Sequence, residues 1–363
     1  MGIFDIFRRK RTIEIVVSDV QVNHKDVIPA EIRTKDAFAT KDGLYPHEIL
    51  VLSYADGFAV DHKDFQNFWW YSYGVKDVSA VLKSLKERGF IEVGNLETAI
   101  KSETVVKLKE VLKSYNLKVS GKKAELIKRL LGEVSHEQLN LLFPKRIYIL
   151  SGAGALALEE AEYIPYIHKN MIEELDIWSL NKLVNEKPDI PYRDKIWGYL
   201  NERSMLHMQK GNFGLYRNCR HTMSKFLAEE NRLIDALAML AEVVFIDLTG
   251  LSNSYNPELL WISAPYFFPY KTSSAKTAYG IINSILDYQN KLELDDNALK
   301  SILLERMNKL HTPIQLFSPQ ECVEIIFLER DQNSDKLEKI YLTSEKRFKK
   351  NYPKIDLNRK DLI

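Results

Sequence analysis

Hydrophobic positions along the chain recur mostly at three- and four-residue intervals, the period of a helix with one buried face. A first helix begins at Tyr45-Pro46-His47-Glu48, with proline in its first turn, and continues through Ile49, Leu50, Leu52, Ser53 and Tyr54. In VKDVSAVLKSLKERGF, Val78, Val81, Leu82 and Leu85 share a face, and Gly89 supplies the stop. Downstream, Met171 to Asn185 and Tyr192 to Gln209 each read as one helix, and Leu215 to Leu248 as a pair divided at the polar turn Glu230-Asn231. Further helices run through Ala275 to Leu310 and, behind the capping signal Ser318-Pro319-Gln320-Glu321, to Glu329. Extended segments are few: Thr12 to Val22 has β-branched alternation, Phe90-Ile91 follows a helix stop, and Lys145 to Leu150 reads as a short strand.

The stretch SETVVKLKEVLKSYNLKVSGKKAELIKRLL carries the densest pattern. Val105, Leu108, Val111 and Leu112 form one apolar stripe, with Ser102 placed as N-cap and Glu103 in the first turn. Asn116 stands where a left-handed residue would end this helix, Leu117 and Val119 anchor a link, and Ser120 is placed as a second N-cap. A second stripe follows in Ala124, Leu126, Ile127, Leu130 and Leu131.

Charge then changes the picture. The 363 residues carry a net charge of only +1, so any affinity for a polyanion must come from local clustering. Between Lys101 and Leu131 nine basic residues face three acidic ones: Lys101, Lys107, Lys109, Lys113, Lys118, Lys122, Lys123, Lys128 and Arg129 against Glu103, Glu110 and Glu125. Two adjacent lysines at a helix start add positive charge to an end that already carries a partial positive charge. Either they are simply solvated, or the helix start receives a phosphate, with Gly121 letting backbone approach.

This segment resembles the SAP motif, a helix-extended-helix DNA-binding module; the helix-one leucines, the core from Leu117 to Leu130 and the linker length agree, while Asn116 replaces a frequent glycine. The resemblance implies duplex DNA as partner, bound mainly through its phosphate backbone by Lys109, Lys113, Lys118, Ser120, Gly121, Lys122, Lys123, Lys128 and Arg129. It also implies a bacterial, phage or prophage setting.

Around this segment, ERGFIEV resembles the exit from the third helix of a winged-helix domain. The expected wing is interrupted by the lysine-rich helices, and Lys145 to Leu150 followed by SGAGALALEEAE resembles the returning strand and next helix. Phe90 to Val93 and Arg146 to Leu150 are therefore expected to pair. MSKFLAEENRLIDALAMLAEVVFIDL is similar in style to a tetratricopeptide hairpin, without a visible repeat. The expected fold is mainly α: a winged-helix-like N-terminal domain with an inserted SAP helix-extended-helix module, followed by an α-helical hairpin bundle. The boundaries are an N-terminal extension with a strand at 1–43, the winged-helix-like domain at 44–162 with the module at 101–133 inside it, the bundle at 163–345, and a basic, mobile tail at 346–363.

Other readings stay open on the residues alone. The aromatic block FQNFWWYSYGV fits a core or a base-stacking surface. SGAGALA satisfies G-x-G-x-x-A formally, but no acidic-ended second strand or βα alternation follows it. The Pro-rich and aromatic stretch NPELLWISAPYFFPYKTSS packs on the bundle or binds a partner, and MGIFDIFRRKRT packs on the first domain or touches a membrane surface.

Function classes are narrowed by what the sequence lacks. The eight histidines do not fall at HxxxH or HExxH spacing, and G-x-S-x-G, C-x-x-C and an intact P-loop are missing. Cys219 and Cys322 are far apart, as in a reducing cytoplasm, and LIDALAMLAEVVFIDL is too charged to span a bilayer. The expectation is a cytoplasmic, non-catalytic DNA-binding protein without cofactor or metal, whose helical C-terminal region is a scaffold or protein-partner surface. The alternatives are an adaptor whose basic module binds an acidic protein partner, and a nucleic-acid-processing enzyme with scattered catalytic residues.

Overall fold

The computed structural model describes residues 27–253 and 257–358, and the chain divides into two compact units between Pro188 and Asp189. The strand expected over Thr12 to Val22, the amphipathic opening segment and the last five residues lie outside the described residues. Among those described are nineteen α-helices and two short strands.

The first unit contains α1 (Ala30–Arg33), α2 (Pro46–Ala55), α3 (Phe68–Tyr73), α4 (Val78–Glu87), β1 (Ile91–Val93), α5 (Leu96–Ser102), α6 (Val105–Ser114), α7 (Lys123–Glu133), α8 (His136–Leu142), β2 (Tyr148–Leu150), α9 (Gly152–Glu160), α10 (Tyr163–Asn170) and α11 (Ile177–Glu186). Helix α2 is its axis. Four successive residues, Ile49 to Leu52, are all buried, as expected of a helix enclosed on every side, and α4, α9, α10, α11 and β2 surround it. Because α10 and α11 pack on each other and on α2, they belong to this unit rather than to the C-terminal bundle that the sequence pattern assigned them to. Helix α4 ends as read, with Gly89 at φ +81.

β1 and β2 pair antiparallel, with Ile91 opposite Leu150 and Val93 opposite Tyr148. The interrupted strand pair expected from the sequence therefore forms, and α5 to α8 are the insertion between its strands. On the other side of β2, Tyr148 N–H donates to the Phe58 carbonyl at 2.8 Å and Val60 N–H to that of Arg146 at 2.9 Å.

This geometry also settles SGAGALA. The strand before α9 pairs antiparallel with β1, so the pair does not provide the parallel strand crevice of a dinucleotide fold. Ser151 caps α9, accepting from Gly154 N–H at 3.0 Å, and donates to the Gly89 carbonyl at 2.7 Å. Gly154 is required by packing: a Cβ there would lie 2.1 Å from the Phe90 carbonyl oxygen. Of the tandem tryptophans, Trp69 is a core residue and Trp70 is half-buried.

The helix expected over Met171 to Asn185 starts six residues late: α10 has already ended at Asn170, and the chain up to Asp176 is a non-helical turn. Met171 and Glu173 take positive φ, which stops α10, and α11 restarts only at Ile177 behind the Asp176 cap. Side-chain periodicity runs through such a break, so hydrophobic spacing alone hides it.

The second unit contains α12 (Tyr192–Gln209), α13 (Phe213–Glu229), α14 (Leu233–Thr249), α15 (Leu260–Ser263), α16 (Tyr279–Lys291), α17 (Asp296–Met307), α18 (Pro319–Arg330) and α19 (Ser334–Asn351). The α13–α14 hairpin turns at Asn231, φ +58. Helix α14 is the axis, packed by α13, α16, α17 and α18. The Pro-rich stretch packs on the bundle, since Phe267 and Phe268 are buried in its core, and Ser318 and Glu321 form the expected capping box of α18. Of the basic tail expected at 346–363, residues 346–351 are the end of α19: Phe348 is buried and Arg347 pairs with Glu321 at 2.8 Å, while beyond the helix Ile355 and Leu357 pack on the core.

A charge cluster lies inside this unit. Glu242 on α14 is fully buried and accepts hydrogen bonds from Tyr216 and Arg306, the Arg306 Nε contact being 2.6 Å. Arg220 Nε lies 3.0 Å from Glu242 Oε2, an ion pair whose N–H is misaligned for a hydrogen bond. Burial, and then the Glu242 charge, push the Tyr216 hydroxyl up to about 12.

Candidate nucleic-acid interface

Helices α5 to α8 share a hydrophobic core of their own. It joins Leu108, Val111 and Leu112 of α6 to Leu126, Ile127 and Leu130 of α7, as the two apolar stripes require, and adds Ile100 from α5, Val134, Leu139 from α8 and Phe143. The sequence reading confined this core to a two-helix unit. The flanking helices extend it, and their caps were legible: Asn95 accepts from Thr98 N–H at 2.9 Å and Ser135 from Gln138 N–H at 3.3 Å.

Both caps assigned within the module move. Ser102 ends α5, donating to the Ala99 carbonyl at 2.7 Å, and the N-cap of α6 is Thr104, which accepts from Lys107 N–H at 3.2 Å. Either hydroxyl residue suited the cap; the presence of α5 decided between them. The N-cap of α7 is Lys122 rather than Ser120, and it makes no side-chain capping bond. Helices α4, α5, α6, α8 and α9 all have a side-chain cap, so among α4 to α9 only the start of α7 leaves its N–H groups without a side-chain acceptor. Asn116 takes φ +53, the left-handed stop expected of it. Leu117 packs on the core, whereas Val119 is exposed and anchors nothing.

The predicted contact residues fall into two groups. Lys109, Lys113, Lys118, Ser120, Gly121, Lys122, Lys123 and Lys128 are exposed, and none of these lysines has an ion pair among the described residues. Lys109 and Lys113 are four apart on α6 and share its outer face, while Lys118 to Lys123 line the linker and the start of α7. Arg129 differs. It is half-buried, and its Nη1 donates to the Lys118 carbonyl and, at 3.3 Å, to that of Ser120. A guanidinium so engaged fixes the linker that presents the lysines; nothing in the sequence separated this role from phosphate contact.

Gly121 sits at φ +125, and a Cβ there would lie 2.3 Å from Glu125 Oε2. Gly121→Ala is expected to destabilise the linker by about 1 to 2 kcal/mol. Urea unfolding together with duplex affinity checks this, and a variant matching the parent in both would show that the linker conformation is not required.

Beside the lysine array, α5 and α7 form a groove of about 580 Å³ with Ala124, Ile127 and Leu131 as its apolar lining and Lys101, Lys123, Lys128 and Glu97 as its polar residues. Lys101 is already paired with Glu97 at 2.6 Å.

A comparison with the curated proteins gives no match to this chain. Among the described residues, no helix is long and apolar enough to cross a membrane. A comparison with protein families matches residues 100–134 to one described as the SAP domain. This match covers α6, its linker and α7 together with the joints to α5 and α8, and it suggests nucleic-acid binding. With the helix-extended-helix geometry and its exposed lysines in place, residues 100–134 of this chain are a SAP domain.

Proposed function

We propose that this is a non-catalytic, cytoplasmic DNA-binding protein whose SAP domain docks on the phosphate backbone of duplex DNA. The carrying observation is the coincidence of an uncapped helix start with unpaired lysines at Lys122 and Lys123, inside a family match to a nucleic-acid-binding domain. An N-terminal helix turn offers N–H donors and a favourable dipole to a phosphate oxygen, and the lysines add charge without needing a base sequence. Lys109, Lys113, Lys118 and Lys128 extend the contact along the strand, and Arg129 holds the linker in shape. The α4–β1 exit with its returning antiparallel β2 supports a winged-helix-like body carrying the domain as an insertion. The second unit serves as scaffold or protein-partner surface, and a bacterial or prophage setting rests on the resemblance. Cys219 and Cys322 are buried and joined by no disulfide, which fits a reducing compartment.

The lysine-edged apolar groove favours a second reading, an adaptor binding an acidic protein segment. Titrating the full chain with a duplex across a salt series separates the two. The DNA reading expects tight binding at low salt with a log-log slope of several units, similar for unrelated sequences. No duplex binding even at 50 mM salt would sink it in favour of the adaptor. Intact supercoiled and single-stranded DNA after incubation with magnesium or manganese is the expected result for a binder, and cleavage would reassign the protein as an enzyme.

A further inference from the structure

Away from the SAP domain, the first unit holds a pocket of about 640 Å³ lined by residues of α2, α3 and α10, within the size range of small-ligand sites. Its walls are aromatic: Tyr54, Phe68, Tyr73 and the His168 ring line it, together with Ser72, Lys169 and Met171. His168 organises the interior. Its Nε2 is 2.6 Å from the Tyr54 hydroxyl and its Nδ1 is 2.7 Å from that of Tyr73, while Phe68 lies against the imidazole with centroids 5.2 Å apart.

The hydrogen-bond inventory of this trio is informative. Burial holds His168 below its ordinary value, so the ring is neutral at pH 7, with one N–H and one lone pair. One tyrosine must then donate to the ring and the other accept from it. The accepting hydroxyl keeps its own hydrogen for another partner, and the donating one keeps its lone pairs. The aromatic-lined pocket thus holds one spare hydroxyl hydrogen and one spare set of hydroxyl lone pairs, with the His168 tautomer deciding which tyrosine supplies which. Burial also pushes Tyr73 up to about 12, so its hydroxyl stays uncharged.

Two features mark the mouth. Lys169 is exposed and has no ion pair among the described residues. Met171 stands in the left-handed region at φ 43 with its side chain in solvent, the residue being 83% exposed. A non-glycine residue in that conformation is strained, and an exposed thioether at the rim of an aromatic pocket adds nothing to the core.

We propose that this pocket is a nucleotide site, taking an unpaired base between its aromatic walls and the attached phosphate at Lys169. A ligand that fits must be flat, uncharged in its ring, furnished with both a donor and an acceptor on its edge, and joined to an anion. A nucleotide meets all four conditions, whether free or as an unstacked residue of a single strand. The site is separate from the lysine array of α6 and α7 and does not depend on it.

Calorimetric titration of the full chain tests this with dAMP, deoxyadenosine, inorganic phosphate and a short single-stranded oligonucleotide. The nucleotide is expected to bind, the nucleoside more weakly, and phosphate alone not at all. Lys169→Ala should weaken dAMP roughly five- to tenfold and leave deoxyadenosine unchanged. Ser72→Trp, at an exposed position that lines the pocket, should abolish binding of both; Phe68→Leu, which removes the stacking face at similar volume, should cost roughly tenfold and serves if the tryptophan variant melts early. Lys122→Ala/Lys123→Ala should leave dAMP binding intact, so this site and the SAP interface fail independently. Pocket-dependent binding of dAMP identifies a free nucleotide, and pocket-dependent binding of the oligonucleotide alone identifies an unstacked strand residue. No binding of either at millimolar concentration, or binding unaffected by the pocket substitutions, overturns the proposal.

Discussion

Replacing Lys122 and Lys123 together by alanine should lower the slope of log affinity against log salt by about 1.8 units, the release of two counterions from duplex DNA. If those two contacts are lost and nothing else changes, affinity falls roughly 60-fold at 0.1 M salt but only about ninefold at 0.3 M, because the lost term is itself salt-dependent. The loss should be the same for unrelated sequences, since phosphates carry no sequence. Lys336→Ala/Lys339→Ala removes the same charge from exposed positions on α19 and is the control. Equal effects of the two pairs would mean that the helix start of α7 is not the docking point and that net charge alone acts. The effect is expected to be large here because neither lysine has a protein carboxylate to return to: free and bound states differ by the whole phosphate contact. Arg129 should behave differently, since Arg129→Lys keeps the charge but loses the planar guanidinium whose Nη1 spans two linker carbonyls. Weaker binding with an unchanged slope is its expected signature.

Glu242→Ala should be among the most damaging single substitutions in the second unit, by about 3 kcal/mol or more. Removing the carboxylate leaves Arg220 buried without its ion partner and the Tyr216 hydroxyl without its acceptor. Arg306 is partly solvated, and its share of the loss is correspondingly screened. Urea unfolding of the full chain should show the transition of the second unit moved to lower denaturant while duplex binding by the SAP domain is retained. Glu242→Gln keeps the hydrogen-bond geometry and should lose less than the alanine variant. If alanine costs under about 1 kcal/mol, the buried charges are not a stabilising unit and hydration must reach them.

The sequence made the helices legible wherever one apolar face met solvent on the other side. Val78, Leu82 and Leu85 of α4, and the two stripes of the SAP domain, are such cases; Gly89 and Asn116 marked the ends of α4 and α6, and Ser318 the start of α18, through local backbone chemistry. The charge excess between Lys101 and Leu131 was equally visible, because counting needs no coordinates. Where two elements compete for the same residues, spacing was silent. Ser102 and Thr104 are both good caps, and α5 decided between them; Met171 to Asn185 kept a helical rhythm although α11 starts only at Ile177, behind two positive-φ residues. The extent of the SAP core, the burial of Phe348, Glu242 with its arginines, and the meeting of Tyr54, Tyr73 and His168 all depend on residues far apart in sequence. By itself the sequence determined local backbone preference, apolar faces and where charge accumulates, because each is set by residues within a few positions of one another. Only the tertiary structure decided which lysines stay unpaired, what Arg129 holds and where an aromatic pocket opens, because those depend on what the rest of the chain brings alongside.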